Sequence, residues 1–438
     1  MGRMDTRRGG RIFATALAVA GIVVGPVAAP AMAEDTIRQQ QWHLDAMHAP
    51  EMWKISRGQG ITVAVIDGGF KLDHPDLAGQ FLPGKDFSGS PGGVGSFGDG
   101  HGTGIASLIA GTGSGMGGTG AQGLAPGVKI LPLKINNGSV GTLVSADFLD
   151  QIGQAVAYAV DQGAKVVNIS QGMDAALSSS ANVTRLTSTI AAARAKGVLV
   201  VSSVGNEAQK GNPVEYPGAL PGVVGVGAVG RDVVATDESE QGPQVVLAAP
   251  GVDMAGACTS STGYCKTHGT SDASALVSAS AALVWSVHKD WTANQVLRVL
   301  INTAGKPTDG SVHSVDVGYG TVRPRIALTD PGDPGPADVS PVPAATAAPS
   351  AAPTPSVTPS ATAPGASASA AAPSAGNAPA AAPTPVPTSE PKAVDASGGS
   401  GSTLPVVAAV VAGLVLVAGV VFVVVRRRRA AAGSDGGR

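Results

Sequence analysis

The sequence is poor in cysteine, in aromatic residues and in net charge. Only two of its 438 residues are cysteine, aromatic residues make up 3%, and the formal net charge is −2. A nearly neutral chain with no basic patch in its central part does not favour nucleic acid as a partner. Because aromatic residues are scarce, a core must be built mainly from Val, Ala, Ile and Leu. The acidic residues are scattered without the spacing of a calcium loop, so neither a metal nor another cofactor is predicted.

The two cysteines, Cys258 and Cys265, lie close together in the sequence. An exported domain permits a disulfide between them. Closing so short a loop would stabilise the fold by roughly 2.5 kcal/mol if the bond acts on the entropy of the unfolded chain. Two free thiols are the alternative.

The N-terminus has the pattern of an export signal. Four arginines are followed by an apolar run over residues 12–27, and Ala31-Met32-Ala33 then matches an A-x-A cleavage site. We therefore expect residues 1–33 to be a signal peptide and the mature chain to begin near Glu34.

The C-terminus contains a second long apolar segment. Residues 404–425 carry no charge, and as a helix they would extend roughly 33 Å, which is enough to cross a bilayer. Four arginines at 426–429 follow directly, and arginine favours the cytoplasmic side. The pattern predicts a transmembrane helix at 404–425, a cytoplasmic tail at 426–438 and a domain outside the cell membrane. A buried core helix is the alternative for this segment.

Composition divides the rest of the chain into three parts. Residues 331–402 are almost entirely Ala, Pro, Ser, Thr and Gly, with too few bulky apolar side chains to offset the entropy of ordering, so they predict a disordered linker. Residues 34–57 form an N-terminal extension that is too short for a folded inhibitory domain and is expected to brace its neighbour. Residues 58–330 are the predicted folded domain.

Apolar runs and helical patterns alternate within the predicted domain. Continuous apolar runs, typical of parallel strands covered on both faces, occur at residues 61–66, 129–135, 165–169, 198–201, 223–226 and 245–247. Helical patterns occur at residues 101–110, 145–162, 183–196 and 271–288. This alternation predicts an α/β domain with a mostly parallel sheet, in which functional groups collect at the carboxyl ends of the strands.

Four polar side chains are predicted to converge at the edge of the sheet where the strands have their carboxyl ends. Asp67 ends the first apolar run, Asn206 follows the run at 198–201, and His101 and Ser271 each begin a helix. They match a nucleophile (Ser271), its base (His101), a carboxylate that orients the base (Asp67) and an amide that donates to an oxyanion (Asn206). His268, three residues before Ser271, is the rival base. His101 is preferred because the glycine after it lets another segment approach closely.

Together these segments resemble the subtilisin-like serine proteases over roughly residues 58–328. The resemblance implies a three-layer fold with helices on both faces of the sheet, a catalytic triad and an oxyanion donor at the four positions above, and a substrate-binding segment at Ser170, Gln171 and Gly172. It also allows a cis bond before Pro217. The motifs that carry it are Val65-Ile66-Asp67-Gly68, His101-Gly102-Thr103, Gly269-Thr270-Ser271, Ala125-Pro126-Gly127, Val167-Asn168-Ile169-Ser170, Tyr216-Pro217-Gly218 and Ala249-Pro250-Gly251.

The layout as a whole is similar to that of the mycosins, membrane-anchored subtilisin-like proteases associated with type VII secretion in actinobacteria. Gln41-Trp42-His43-Leu44 and the region of Trp53 also resemble the N-terminal extension of that group. The resemblance implies an extracytoplasmic endopeptidase that acts on proteins or peptides and associates with a secretion complex in the membrane. A structural subunit of such a complex, in which catalysis is secondary, is the alternative. A role in adhesion finds no carbohydrate-binding feature to support it.

Two residues depart from the family pattern. Asp272 stands directly after the proposed nucleophile, where an apolar residue is usual, and Ala275 stands where proline is usual. Alanine favours a helix, so the loss of proline should be harmless. The charge of Asp272 would oppose an oxyanion if it faced the cleft, and we expect it to face away.

Overall fold

The strands within the described part of the chain form one large sheet and two small ones. The structure is a computed structural model that describes residues 36–136 and 147–343. Seven strands form the large sheet in the order β2-β3-β1-β4-β6-β8-β9, and every neighbouring pair is parallel. The pairs β10-β11 and β5-β7 are antiparallel. The bounds are β1 Thr62–Asp67, β2 Lys85–Asp86, β3 Lys129–Lys134, β4 Val166–Ile169, β5 Met173–Asp174, β6 Leu199–Ser203, β7 Glu215–Tyr216, β8 Val224–Val229, β9 Val245–Pro250, β10 Met254–Ala257 and β11 Tyr264–Thr267.

Helices cover both faces of the large sheet. Within the described residues their bounds are α1 Ile37–Gln40, α2 Trp42–Ala46, α3 Ala49–Met52, α4 His101–Ala110, α5 Gly115–Gly118, α6 Phe148–Asp161, α7 Ser180–Ala195, α8 Thr270–Val287, α9 Ala293–Thr303 and α10 Pro324–Thr329.

Alternate residues of β1 show how the layers form. Val63 and Val65 join one buried cluster, which also contains the apolar residues of α4, α8 and α9. Ala64 and Ile66 join a second cluster with those of α6 and α7. Because successive side chains of a strand point to opposite faces, a strand that is apolar throughout must be covered on both sides. The result is a three-layer arrangement, and the predicted fold class is confirmed.

The N-terminal extension packs against the domain. The indole N–H of Trp42 donates to the carbonyl of Val252 at 2.8 Å, and that of Trp53 donates to the carbonyl of Leu124 at 2.9 Å. His43 between them is fully buried. The extension therefore braces the domain, because its indole donors and buried side chains join it to segments far along the chain.

Residues at the start of the predicted linker also contact the domain. The guanidinium of Arg298 on α9 donates to the carbonyl groups of Pro334, Pro336 and Val339, and Val342 packs against the core. The sequence places the beginning of the linker at 331, whereas the packed part of the chain extends to Val342. The physical reason is that one guanidinium supplies the donors that a proline-rich segment needs for its carbonyl groups.

The two ends of the chain lie outside the described residues. Among residues 36–136 and 147–343, no helix is both long and apolar enough to cross a membrane. The predicted signal peptide at 1–33 and the predicted transmembrane helix at 404–425 fall outside these ranges, as does most of the linker.

Candidate active site

Asp67 and His101 are joined by hydrogen bonds at the carboxyl edge of the sheet. Asp67 is the last residue of β1 and is fully buried, and His101 is the first residue of α4. The Nδ1 atom of His101 lies 2.9 Å and 3.0 Å from the two carboxylate oxygens of Asp67. A Cβ on Gly102 would lie 3.0 Å from the Cβ of Asp67, so only glycine lets the helix begin this close to the strand.

Gln171 makes a further contact with this pair. Its side-chain amide nitrogen lies 3.1 Å from the Oδ1 atom of Asp67 and 3.1 Å from the Nδ1 atom of His101. Since the carboxylate can only accept, the amide donates to Asp67, and the Nδ1–H of His101 donates to the same carboxylate. The backbone N–H of Gly68 is a third donor, at 2.8 Å. The carboxylate is therefore held in place by three donors around it.

Ser271 lies in the first turn of α8, which runs through the core. Almost all of this helix is buried, as its run of small and aliphatic residues allows. The hydroxyl of Ser271 donates to the backbone carbonyl of Ser170 at 3.1 Å, so in this state it points to the segment predicted to bind substrate and not to His101. The unpaired N–H groups at the start of a helix favour a negative charge nearby.

The side-chain amide of Asn206 is oriented by Thr270, the residue before Ser271. Its amide oxygen accepts from the backbone N–H of Thr270 at 2.9 Å and from the hydroxyl of Thr270 at 3.0 Å. A backbone N–H only donates, so the atom that faces it must be the oxygen. The amide nitrogen of Asn206 is therefore left as the donor on an exposed side chain.

The predicted site residues line one cleft. His101, Ser271, Asn206, Ser170, Gln171 and Gly172 all contribute to its walls, and Asp67 lies beneath His101. The rival base His268 is instead exposed and pairs with Glu238 at 2.8 Å. The geometry thus brings together the residues that sequence reasoning grouped, and it separates His268 from them.

Three acidic residues were missed as cleft residues. Asp99, Glu207 and Glu215 line the same walls. Glu207 follows Asn206, and Glu215 directly precedes the Tyr216-Pro217 motif, so their positions beside known motifs were an available signal. The bond between Tyr216 and Pro217 is cis, as the resemblance allows.

Negative charges around His101 decide its protonation. Burial lowers the pKa of His101, but the charge and hydrogen bond of Asp67, together with the charges of Asp272 and Asp99, outweigh burial and raise the pKa to about 9. An imidazole can accept a proton only when it is neutral. The base at this site is therefore more available in alkaline than in neutral solution.

Asp272 is buried and is not part of the cleft wall. The hydroxyl of Thr267 donates to its Oδ2 atom at 2.7 Å, and the cleft-lining residues do not include it. Burial raises the pKa of Asp272 to about 6, although the Thr267 hydrogen bond and the charges of His101 and His268 oppose this. The carboxylate thus acts on the site through its charge and not through contact with a substrate.

The two cysteines lie in a hairpin between His101 and Ser271. A disulfide joins Cys258 to Cys265 in the structure, across the antiparallel pair β10 and β11. The backbone N–H of Ala257 donates to the hydroxyl of Ser107 on α4 at 2.9 Å. The hairpin therefore links the helix that begins with His101 to the segment that leads to Ser271.

Known proteins resemble this chain in sequence. Thermitase from Thermoactinomyces vulgaris is 31% identical over 269 residues, which cover 61% of this chain and 89% of thermitase. Subtilisin Savinase from Lederbergia lenta is 31% identical over 268 residues, which cover 60% of this chain and 90% of that protein.

Solved structures of MycP1 and MycP3 resemble the fold. MycP1 from Mycobacterium smegmatis has a TM-score of 0.59 and 27% identity, with 70% of this chain and 89% of that one covered. MycP3 protease from the type VII (ESX-3) secretion system has a TM-score of 0.57 and 30% identity, with 66% and 87% covered. These neighbours are mycosins of type VII secretion systems.

A family model provides the assignment. The model described as the subtilase family matches residues 58–322, which is more than half of the chain. This match, the sequence relatives and the confirmed fold agree with one another. We conclude that the chain belongs to the subtilase family and is a subtilisin-like serine endopeptidase.

Proposed function

We propose that the protein is a membrane-anchored, extracytoplasmic endopeptidase in which Asp67, His101 and Ser271 act as the catalytic triad. The catalytic part of the proposal rests on the contact between Asp67 and His101 in a cleft that Ser271 also lines. The cellular part rests on the sequence patterns at residues 1–33 and 404–425 and on the similarity to mycosins.

The chemistry proceeds through a rotation of the nucleophile. The hydroxyl of Ser271 turns from the carbonyl of Ser170 toward the Nε2 atom of His101 when substrate binds. Asp67 accepts from Nδ1–H and so keeps Nε2 free to take the hydroxyl proton. The oxygen of Ser271 attacks the amide carbonyl, and His101 then gives its proton to the leaving amine. Water releases the acyl group by the same steps in reverse order.

The developing oxyanion is stabilised from two sides. The amide nitrogen of Asn206 donates from one side, and the backbone N–H groups at the start of α8 donate from the other. A single side-chain donor of this kind contributes about 2.7–4 kcal/mol to transition-state stability. Replacement of Asn206 by alanine should therefore lower kcat by about 100-fold or more.

The substrate is an extended polypeptide. Ser170, Gln171 and Gly172 follow β4 directly and line the cleft beside Ser271. An extended peptide placed along this segment adds as a strand through backbone hydrogen bonds. This arrangement fits proteins or peptides as substrates and needs no cofactor.

A fluorophosphonate probe tests the catalytic proposal. The full-length protein should be labelled, and Ser271→Ala should not be. Ser280→Ala is the matched control, because Ser280 lies in the same helix and its hydroxyl donates to the carbonyl of Leu276; this variant should be labelled like the parent. A folded parent protein that resists the probe would refute the triad assignment.

The proposed location of the domain outside the cell membrane is tested by a separate experiment. Edman sequencing of the purified protein should begin near Glu34, and external protease should degrade the domain on intact cells while leaving residues 426–438 protected. Retention of the first 33 residues, or protection of the domain, would contradict the proposed export.

A structural role in a secretion complex is the second candidate. It is favoured by the similarity to MycP1, a serine protease that is an essential component of the type VII (ESX-1) secretion system. Complementation of a deletion strain with Ser271→Ala separates the two roles. Restored secretion would assign the essential function to the folded domain, and failed secretion would assign it to catalysis.

A further inference from the structure

Part of the cleft wall is acidic. Glu207 and Glu215 line the cleft together with Ser203, Gly205 and Asn206, and both lie close enough to Glu240 for their charges to raise its pKa. We call Glu207, Glu215 and Glu240 the acidic cluster. Glu207 pairs with the exposed Lys210 at 2.7 Å. Among the described residues, no lysine or arginine pairs with Glu215 or Glu240.

Glu240 is buried behind the cleft wall without a hydrogen-bond partner. Its side chain is fully buried, and neither carboxyl oxygen meets a donor. A Cβ on Gly205 would overlap the carboxyl group of Glu240, so only a glycine backbone separates this group from the cleft. A buried carboxyl group without a partner favours its protonated form, whereas a cation nearby favours the charged form.

Burial and neighbouring negative charges raise the pKa of both Glu215 and Glu240. Burial raises the pKa of Glu215 to about 7, and the charges of Glu207 and Asp174 add to this. Burial raises the pKa of Glu240 to about 8, and the charge of Glu215 contributes next. The backbone N–H of Glu207 opposes this rise in pKa only in part. It is too poorly placed to form a hydrogen bond with Glu240. A bound positive charge would relieve this repulsion.

The position of the acidic cluster indicates which part of a substrate reaches it. A Cβ on Gly172 would overlap the Oε2 atom of Glu215, so Glu215 lies beside the segment along which the peptide extends. Asn206, the proposed oxyanion donor, lines the same cleft. The residue whose carbonyl is attacked must lie beside Asn206, so its side chain is the one that we expect to reach Glu215. Gly172, Ser203 and Gly205 also line the cleft, and their small size leaves room for a long side chain.

A metal ion fits this region less well than an organic cation. Within the described ranges, no group of three or more acidic, histidine or cysteine side chains is arranged to hold a metal ion. A lysine or arginine side chain supplies its own donors and needs only one or two carboxylates.

We propose that Glu215, with Glu240 behind Gly205, makes this protease select a lysine or arginine immediately before the bond that it cleaves. This inference rests on the proposed function, because it identifies the substrate class of the same site. The guanidinium or ammonium group contacts Glu215 directly, and its positive charge favours the ionised form of Glu240 behind the glycine.

The cleavage experiment uses the full-length protein and peptides that differ at one position. Arginine is compared with citrulline, its neutral isostere, and lysine with norleucine, and kcat/KM is normalised to the fraction labelled by the fluorophosphonate. We expect each basic residue to be favoured at least tenfold over its neutral counterpart. Glu215→Gln should reduce the arginine-to-citrulline ratio to below about threefold, and Glu240→Gln should reduce it in part. A parental ratio near one, or an unchanged ratio in Glu215→Gln, would overturn the proposal.

A matched variant controls for net charge. Asp161→Asn removes the same charge from an exposed position at the end of α6, and it should keep the parental ratio. If this variant lowers the ratio as much as Glu215→Gln, the preference comes from long-range charge and the proposed contact is wrong.

A binding experiment separates this proposal from the catalytic one. Peptides that end in arginine or citrulline mimic the cleaved product, and their affinity for Ser271→Ala is measured by calorimetry. At least tenfold tighter binding of the arginine peptide supports the acidic site, even if the parent resists the fluorophosphonate. Equal binding overturns the acidic site, even if the parent is labelled. The two failures are therefore distinguishable.

Discussion

The buried histidine of the N-terminal extension should make the fold sensitive to mild acid. His43 is fully buried, and neither of its ring nitrogens has a hydrogen-bond partner. Burial lowers its pKa to about 3, and the charge of Arg38 acts in the same direction, while that of Asp45 opposes it. The folded state therefore keeps this ring neutral at a pH where an unfolded chain would protonate it.

The sign and size of this pH dependence follow from proton binding by His43. Above pH 6.5 the ring is neutral in both the folded and the unfolded chain, so its titration does not change the free energy of unfolding. As the pH falls below 6.5, the unfolded chain binds the proton and the folded chain does not, so stability decreases until the pH reaches the folded pKa near 3. At pH 5 the solution is about 1.5 pH units below the pKa of the unfolded chain, so the free energy of unfolding should be about 2 kcal/mol lower than at pH 7.

The assay compares His43→Leu with its parent in a Ser271→Ala background, which prevents self-digestion. Leucine has a similar volume and no polar atom to leave unpaired, so the variant should be at least as stable as the parent at pH 7. Between pH 7 and pH 5 the parent should lose about 2 kcal/mol more than the variant in guanidinium unfolding, or about 4 °C in Tm.

A control and a refuting outcome complete the test. His288→Leu removes a half-buried histidine that stacks on Trp291, and it should retain the full acid sensitivity of the parent. If His43→Leu loses as much stability on acidification as the parent does, the argument from the buried ring is wrong.

Three further perturbations test the site and its support. Asp272→Asn removes a negative charge that raises the pKa of His101, so the acid limb of the kcat/KM profile should move to lower pH; an unchanged or higher midpoint would contradict this coupling. Gln171→Leu removes a donor to the buried carboxylate of Asp67, so kcat should fall about tenfold, and an unaltered kcat would exclude this role. Replacing both Cys258 and Cys265 by alanine should lower the free energy of unfolding by about 2.5 kcal/mol, measured in guanidinium, and a loss well below 1 kcal/mol would show that the hairpin needs no bridge.

Short-range sequence signals predicted the sheet and the elements that carry the candidate site residues. The apolar run at 61–66 and the following Asp67 became β1 and its buried last residue. The helix predicted at 101–110 is observed at His101–Ala110. These features depend on neighbours in the sequence, since a strand covered on both faces must be apolar and a helix must begin where its first turn can be satisfied.

Features that depend on distant contacts were not predicted. Glu240 has no local motif, and only the fold brings it behind Gly205. The additional contact of Gln171 with Asp67 joins positions more than a hundred residues apart. Likewise, the composition of 331–343 suggested a free linker, because nothing local shows that Arg298 would supply its donors.

The order of the elements along the chain also decides when the site can form. Every strand of the large sheet precedes Ser271 in the sequence, and the helix that carries this hydroxyl packs on one face of that sheet. During synthesis, Asp67 and His101 are therefore made long before the hydroxyl that completes the group. The three side chains can meet only after all seven strands of the large sheet have been made.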